Sequence, residues 1–198
     1  MHKTYKPIII IGKSGAGKDT TVKVLTEKYG FKRVIEYTTR QKRPNETNGV
    51  EYNFVTDEEY DKMLKDNEFI STSTFDRVQD GNVCKVRYGI RKDDLVDNTI
   101  LSTNPSSMRQ IKSQMDDVIV VYIFVPGYIR AKRLRSRGDD KSEIERRLMS
   151  DNRDFDEETE NNVDILVLNG IFPSLNREEK SPENLAEEIL KKVRKLER

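Results

Sequence analysis

A glycine-rich segment near the start of the chain carries the clearest chemical signal. After the apolar run Ile8 to Ile11 the sequence continues as GKSGAGKDT, with glycines at 12, 15 and 17 and a lysine at 18. Such glycines let backbone N–H groups approach phosphate oxygens, and the positive end of a following helix adds to the attraction. Lys18 would neutralise the β and γ phosphates. The segment therefore predicts a loop that binds a nucleoside triphosphate through Gly12, Ser14, Gly15, Ala16, Gly17, Lys18, Asp19 and Thr20.

Asp19 departs from the usual pattern of such a loop, in which Ser or Thr follows the lysine and its hydroxyl ligates magnesium. A carboxylate can hold Mg²⁺ directly or through water, and Thr20 offers a hydroxyl beside it. Asp is also a favoured residue at a helix N-terminus. The sequence therefore leaves two interpretations of Asp19 side by side, a metal ligand and a helix cap.

The composition limits the chemistry available to the rest of the chain. Its 198 residues suffice for one domain (1–198) with a buried core, and 36 Lys and Arg against 35 Asp and Glu predict neither nucleic-acid nor membrane binding. Cys84 and His2 are the only cysteine and histidine, which excludes an internal disulfide, a Cys/His zinc site and a histidine-based triad. The chemistry must therefore use Lys, Arg, carboxylates and backbone groups.

The longest apolar runs are too short for a signal-peptide core or a membrane span. Ile8 to Ile11 ends at Gly12, and Val118 to Val125 is less than half of a membrane span and rich in β-branched residues. We therefore expect a cytoplasmic protein in which Val118 to Val125 forms a buried strand.

Short apolar runs alternate with stretches of helical periodicity, which is typical of an α/β protein with a parallel sheet covered on both faces. The expected core strands cover residues 7–11, 33–38, 98–103, 118–125 and 163–168. The expected helices cover residues 19–29, 105–115, 128–137 and 142–155, followed by a last helix that Ser181 caps and Pro182 opens.

Residues 39–90 interrupt this alternation of strands and helices. They contain a turn region, an extended stretch at 50–55, a short helix opened by Thr56 with Glu59 three residues on, and a further extended stretch at 69–73. The pattern predicts an inserted lobe that binds substrate.

The segment from Thr38 to Val55, TTRQKRPNETNGVEYNFV, resembles the guanylate kinase family, whose members carry TTRxxRPGExxGxxYxFV after the second strand. The resemblance covers nearly the whole chain and weakens after about residue 90. It implies a three-layer P-loop kinase fold of α/β class, with a central parallel five-stranded sheet, an inserted NMP-binding lobe and a lid. The core would comprise about 1–38, 98–130 and 160–198, the lobe about 39–90 and the lid about 131–159.

The same resemblance implies an activity, which is the ATP-dependent phosphorylation of a nucleoside monophosphate, GMP or dGMP, with Mg²⁺. The implied partners are ATP and the monophosphate, and the chain would act as a monomer or homodimer. In that family two arginines and two tyrosines hold the acceptor phosphate, and the matching residues are Arg40, Arg43, Tyr52 and Tyr88. Guanidinium forks bind phosphate oxygens bidentately, and phenol hydroxyls add donors without further charge. Thr39 and Glu46 belong to the same motif and are included in the expected acceptor site.

The lid is expected in the segments RLRSRG (133–138) and RRL (146–148), which resemble the family stretch RLxxRG…RL. Because the protein contributes mostly positioning and charge stabilisation to phosphoryl transfer, Arg133, Arg137 and Arg147 would be catalytic together with Lys18. The alternative is a surface helix laced with ion pairs. Arg146 is expected to face solvent. Asn169, before Gly170, resembles a family Asn near the adenine.

The positions that read guanine differ from the family pattern. Glu36 stands where the family has Ser, Ser71 where it has Glu, and Asn104 where the family strand ends in Asp-x-Asp. One hypothesis is a swap, in which Glu36 accepts from guanine N1 and N2 while Ser71 donates to O6. The other is a different phosphorylated acceptor, such as another nucleoside monophosphate or ribose 1,5-bisphosphate. Asn104 can still form hydrogen bonds but brings no charge.

A third alternative is a guanylate kinase-like interaction module that binds peptides and no longer turns over nucleotide. Lys18, the loop glycines and the lid arginines argue against it. A signalling GTPase is disfavoured because the chain contains no Asn-Lys-x-Asp motif.

Overall fold

The computed structural model describes residues 4–79, 82–171 and 179–197. Within them the β-strands are β1 (Ile8–Ile11), β2 (Lys32–Arg33), β3 (Tyr37–Thr38), β4 (Asn53–Phe54), β5 (Phe69–Gln79), β6 (Asn82–Arg91), β7 (Thr99–Ser102), β8 (Ile119–Phe124) and β9 (Ile165–Leu168). The α-helices are α1 (Lys18–Tyr29), α2 (Asp57–Lys65), α3 (Pro105–Lys112), α4 (Gly127–Ser136), α5 (Lys141–Asp154), α6 (Glu157–Asn161) and α7 (Pro182–Leu196).

Five strands form a parallel sheet in the order β2-β7-β1-β8-β9, which confirms the predicted central sheet. In β1, Ile8 and Ile10 pack on the side of α1 and α7, whereas Ile9 and Ile11 pack on the side of α3. Because successive strand residues point to opposite faces, four consecutive isoleucines fill both interfaces of a three-layer structure.

The predicted strand at 33–38 is wrong as a single element. Its first part forms β2, which pairs with β7 in the five-stranded sheet. Its last part forms β3, which pairs with β6 in a second sheet. Glu36 lies in the connection between the two strands. Continuous apolar character at Val34 and Ile35 could not reveal this change of sheet, because either sheet buries such residues.

The second sheet has the order β4-β3-β6-β5 and forms most of the predicted inserted lobe. Its β5-β6 hairpin is antiparallel and long. The Thr56 side chain accepts from the Glu59 N–H and the Glu59 carboxylate accepts from the Thr56 N–H, which confirms the predicted start of α2.

The other core strands and helices have boundaries within three residues of the predicted ones, whereas β5 extends six residues beyond the predicted stretch 69–73. The helix α3 ends at Lys112, not at 115, while Ser181 caps α7 by accepting from the Asn184 N–H as predicted. At the sheet edge, Lys180 and Lys192 donate to the β9 carbonyls of Leu168 and Leu166, which protects the edge strand from further pairing. In the described parts of the chain, we find no helix long and apolar enough to span a membrane.

Candidate active site

The predicted phosphate-binding loop connects β1 to α1 in a tightly packed turn. Gly15 and Gly17 have φ values of 79° and 91°, in the left-handed region that favours glycine. A Cβ at Gly15 would also lie 3.0 Å from the Arg130 carbonyl oxygen, so the loop packs directly on the backbone of α4. The backbone at positions 15 and 17 therefore favours glycine, while phosphate binding by the loop stays a prediction.

Lys18 and Asp19 occupy the first turn of α1. The Lys18 ammonium donates to the Gly12 carbonyl oxygen at 2.7 Å, and burial lowers the pKa of Lys18 from its usual value. Asp19 is exposed. Gly17, not Asp19, is the N-cap residue of α1, so the capping interpretation of Asp19 is wrong. Asp19 lies one residue inside the helix, where its carboxylate faces solvent and the loop.

The loop and the predicted lid arginines line one cavity of about 490 Å³. Its walls are formed by Ser14, Gly15, Ala16, Gly17, Lys18, Asp19, Thr20, Arg133, Arg137 and Arg147. Arg133 donates to the Gly15 carbonyl at 2.9 Å and pairs with Glu179 at 2.6 Å. Arg147 pairs with Glu143 at 2.7 Å. The structure thus brings the predicted catalytic side chains together, while two of them also form the ion pairs of the alternative interpretation.

Asn169 lies beside this cavity rather than in it. It lines a smaller cavity of about 230 Å³ together with Gly17, Thr20 and Arg133. Its buried side-chain oxygen accepts from the Lys180 N–H at 2.9 Å, so the amide holds the chain before α7 in place.

A larger cavity of about 810 Å³ opens between the second sheet and the lid. Four predicted acceptor residues line it, namely Glu36, Tyr52, Tyr88 and Asn104. The rings of Tyr52 and Tyr88 pack edge to face at 5.7 Å, and burial raises the pKa of Tyr52 to about 12. Asn104 also caps α3, since its side chain accepts from the Ser107 N–H at 2.9 Å.

Arg40 lies behind the two tyrosines in a buried ion pair. Its guanidinium donates two bonds to the Glu46 carboxylate, at 2.9 and 2.7 Å, and lies 5.2 Å from the Tyr52 ring centre. The Arg40 guanidinium holds the pKa of Glu46 at about 2. Glu46 also accepts from the Arg43 N–H, while Arg43 is itself exposed. Glu46 therefore holds the Arg40 guanidinium and the Arg43 backbone in place.

Thr39 is half-buried and pairs with β6. Its N–H donates to the Arg87 carbonyl, and its hydroxyl accepts from the Arg87 N–H at 3.1 Å. These bonds place Thr39 in the wall of the lobe, next to Arg40.

Of the two residues predicted to read the base, Glu36 lies in the wall of this cavity, whereas Ser71 is not among the residues that line it. Burial raises the pKa of Glu36 to about 7, and the Thr103 hydroxyl donates to its carboxylate at 3.1 Å. Ser71 is buried, and its hydroxyl oxygen has no hydrogen-bond partner among the described residues. An unpartnered buried hydroxyl is costly unless a ligand satisfies it.

Several residues that line the cavity of about 810 Å³ were not predicted. Ser73 and Phe75 line it from β5, and they lie on the same face as Ser71 because strand side chains alternate. The two-residue alternation of side chains along a strand could have indicated from the sequence that these residues share a face. Arg146, expected to face solvent, is largely exposed but lines the same cavity with Glu143, whose pKa the Arg146 guanidinium lowers to about 2.

The described residues contain no cluster of three or more His, Cys, Asp or Glu side chains able to hold a metal ion by themselves. Metals in phosphoryl-transfer sites are held mainly by the substrate phosphates with one or two carboxylates. Asp19 offers an exposed carboxylate oxygen, a hard ligand, in the cavity that the loop lines with Arg133, Arg137 and Arg147, and Thr20 lies beside it. The donor set therefore fits a divalent ion bound together with phosphates.

Comparisons with known proteins agree with this geometry. The family model described as guanylate kinase matches residues 4–178. The guanylate kinase of Schizosaccharomyces pombe is 31% identical over 175 residues, covering 83% of this chain and 83% of the relative. That of Hydrogenovibrio crunogenus is 33% identical over 167 residues, covering 83% and 80% respectively.

Among solved structures, the guanylate kinase of Anaplasma phagocytophilum superposes with a TM-score of 0.63 at 20% identity. The match covers 98% of this chain and 87% of the other, and it supports the shared fold. Because the family model spans most of the chain and the relatives exceed 30% identity over most of their length, this chain belongs to the guanylate kinase family.

Proposed function

We propose that the chain is an ATP-dependent nucleoside monophosphate kinase that converts GMP or dGMP to the diphosphate. The observation that carries this proposal is that two cavities meet at the first turns of α5. Arg147 faces the cavity of the phosphate-binding loop, whereas Glu143 and Arg146 face the cavity with Tyr52 and Tyr88. Glu143 and Arg147 are also an ion pair four residues apart on one face of α5, so a donor and an acceptor held in these cavities would have their phosphates beside each other at the same turns of this helix.

The donor half binds and neutralises the triphosphate. The loop N–H groups and Lys18 hold the β and γ phosphates, and Arg133, Arg137 and Arg147 stabilise charge on the transferring group. An oxygen of the acceptor phosphate attacks the terminal phosphorus, the bond to the bridging oxygen breaks, and ADP leaves. We propose Mg²⁺ as the divalent ion, held by Asp19 and the phosphates, where it would supply further charge neutralisation.

The acceptor half fixes the monophosphate through Arg40, Arg43, Tyr52 and Tyr88. Glu46 holds Arg40 in position before substrate binds, which reduces the conformational freedom lost on binding. Lobe (about 39–90) and lid (about 131–159) would close on the two substrates.

Guanine would be read by the exchanged pair Glu36 and Ser71. The Glu36 carboxylate accepts from N1–H and the N2 amino group, and the Ser71 hydroxyl donates to O6. The unpartnered Ser71 hydroxyl and the position of Glu36 in the cavity wall support this assignment. Since the substrates are free nucleotides, we further propose a cytoplasmic location.

A coupled assay of ADP release tests the proposal directly. The purified protein is compared across GMP, dGMP, AMP, CMP, UMP, dTMP and ribose 1,5-bisphosphate at fixed ATP and Mg²⁺. We expect GMP or dGMP to give the highest kcat/KM. Equal rates with AMP or UMP would reject the base-reading pair, and turnover of ribose 1,5-bisphosphate alone would reject a nucleotide acceptor. Failure of ATP to bind in calorimetry would instead support an interaction module.

A further inference from the structure

A buried ion pair outside both cavities joins the lid helices to the phosphate-binding loop. The Arg130 guanidinium of α4 lies 2.8 Å from the Asp151 carboxylate of α5, and the two side chains are 6% and 10% exposed. Asp151 also accepts from the Ser14 N–H at 2.9 Å and from the Ser14 hydroxyl at 3.1 Å. Arg130 donates to the Ser14 carbonyl oxygen at 3.3 Å. The pair therefore holds the peptide groups on both sides of Ser14.

Stability alone is a weak reason for such a pair. Two charges lose their hydration on burial, and an apolar pair of similar volume is often as stable. The Arg130–Asp151 pair, in contrast, directs hydrogen bonds at one residue of a loop that is proposed to bind substrate. The effect of the pair on the conformation of the loop therefore says more about its role than its effect on stability does.

The bonds to Ser14 set the direction of the neighbouring peptide groups. In a trans peptide the C=O and the following N–H point in opposite directions, and the described residues contain no cis peptide. Binding of the Ser14 N–H by Asp151 therefore turns the Lys13 carbonyl the other way, where it accepts from the Ala16 N–H at 3.0 Å. Binding of the Ser14 carbonyl by Arg130 likewise turns the Gly15 N–H away from α4.

Arg133 extends the same arrangement by one residue, because it donates to the Gly15 carbonyl at 2.9 Å. Two consecutive loop carbonyls thus point at guanidinium groups and not at the phosphates, which they would repel. Burial is the main cause that lowers the pKa of Lys18, and against that background Asp151 acts to raise it and Arg130 to lower it, so the two charges of the pair act on the loop lysine in opposite directions. The positive charge of Arg130 thus offsets the negative charge of Asp151 beside the proposed phosphate site.

We propose that Asp151 and Arg130 are positioning residues for the phosphoryl donor. They orient the peptides around Ser14 before ATP binds, and they fix the lid helix α5 to the loop at its C-terminal end. Preorganised N–H groups bind an anion more tightly because less conformational freedom is lost on binding. This inference rests on the proposed role of residues 12–19 in donor binding.

The double variant Arg130→Leu/Asp151→Ala tests the proposal, because it removes both charges and leaves neither buried alone. We expect its melting temperature to stay near that of the parent, while the Kd for ADP in calorimetry rises about tenfold through the lost anchoring of the loop. The KM for GMP should change less than twofold. Asp151→Asn, which preserves side-chain shape, should raise the ADP Kd in the same direction.

Asp154→Asn is the matched control, because it changes another carboxylate of α5, whose side chain accepts only from Ser150 and Arg153 among the described residues. It should leave ADP affinity unchanged. Parental ADP affinity in the folded double variant, or in Asp151→Asn should the double variant not fold, would overturn the proposal. A parent that binds ADP but does not phosphorylate GMP would reject the proposed acceptor and still leave this binding test decisive. A parent that does not bind ADP would reject the inference together with the donor role.

Discussion

Glu36→Gln is the most informative single change, because it removes a charge while keeping the shape and the hydrogen-bond acceptor for Thr103. Burial destabilises the ionised form of the Glu36 carboxyl in the folded protein, which is why its pKa is raised and why the folded state favours the neutral form. Its favourable contribution to folding is full below the ordinary pKa of 4.5 and is lost as pH rises towards about 7. A pKa of about 7 against 4.5 corresponds to about 3 kcal/mol of folding free energy.

The stability assay follows directly from this sign. We expect the variant and the parent to melt at similar temperatures near pH 4.5, and the variant to melt at the higher temperature at pH 8. The difference should grow between these two values. Glu27→Gln, at an exposed position on α1, serves as the control and should show no such growth. A constant difference between variant and parent across the range would refute the burial argument.

The same variant tests guanine recognition. If the ionised carboxylate binds N1–H and N2–H, lowering the pH from 8 to 6 should raise the KM for GMP about tenfold in the parent. In Glu36→Gln that dependence should shrink to the contribution of the acceptor phosphate, whose second pKa lies near 6. Loss of the charged hydrogen bonds should also weaken transition-state stabilisation for GMP by about 1.5–3 kcal/mol, measured as the ratio of the kcat/KM values of parent and variant. The kcat/KM for AMP should change little. An unchanged preference for GMP over AMP would refute the assignment of Glu36.

Three further changes test other parts of the structure. Lys18→Met should lower kcat by at least about a hundredfold with unchanged melting temperature, since it removes the cation proposed to neutralise the donor phosphates. Steady-state kinetics would check this, and a kcat near that of the parent would contradict it. Thr56→Ala should cost about 1 kcal/mol in urea unfolding through loss of the α2 cap, with kcat retained. Thr103→Val should raise the KM for GMP while Thr103→Ser restores it, because only the hydroxyl donates to Glu36; failure of Ser to restore it would indicate a packing effect.

Local signals in the sequence predicted much of the fold correctly. The isoleucine run before a glycine-rich segment indicated β1 and the loop, and the Thr56 and Ser181 caps marked two helix starts, because caps and turns depend on neighbouring residues. The strand at 33–38 failed for the opposite reason. Its division between two sheets depends on which distant strands pair with it.

The sequence by itself determined the chemical groups that each segment can offer, namely a glycine-rich loop with Lys18, arginine forks, and a carboxyl at position 36. Only the tertiary structure decided how these groups are held. Thr103 reaches Glu36 across 67 positions, and Asp151 reaches Ser14 across 137. Such contacts arise when helices and strands pack together, and their distances and burial set the pKa of Glu36 and the orientation of the loop peptides. No local pattern carries that information, because both depend on groups far away in the chain.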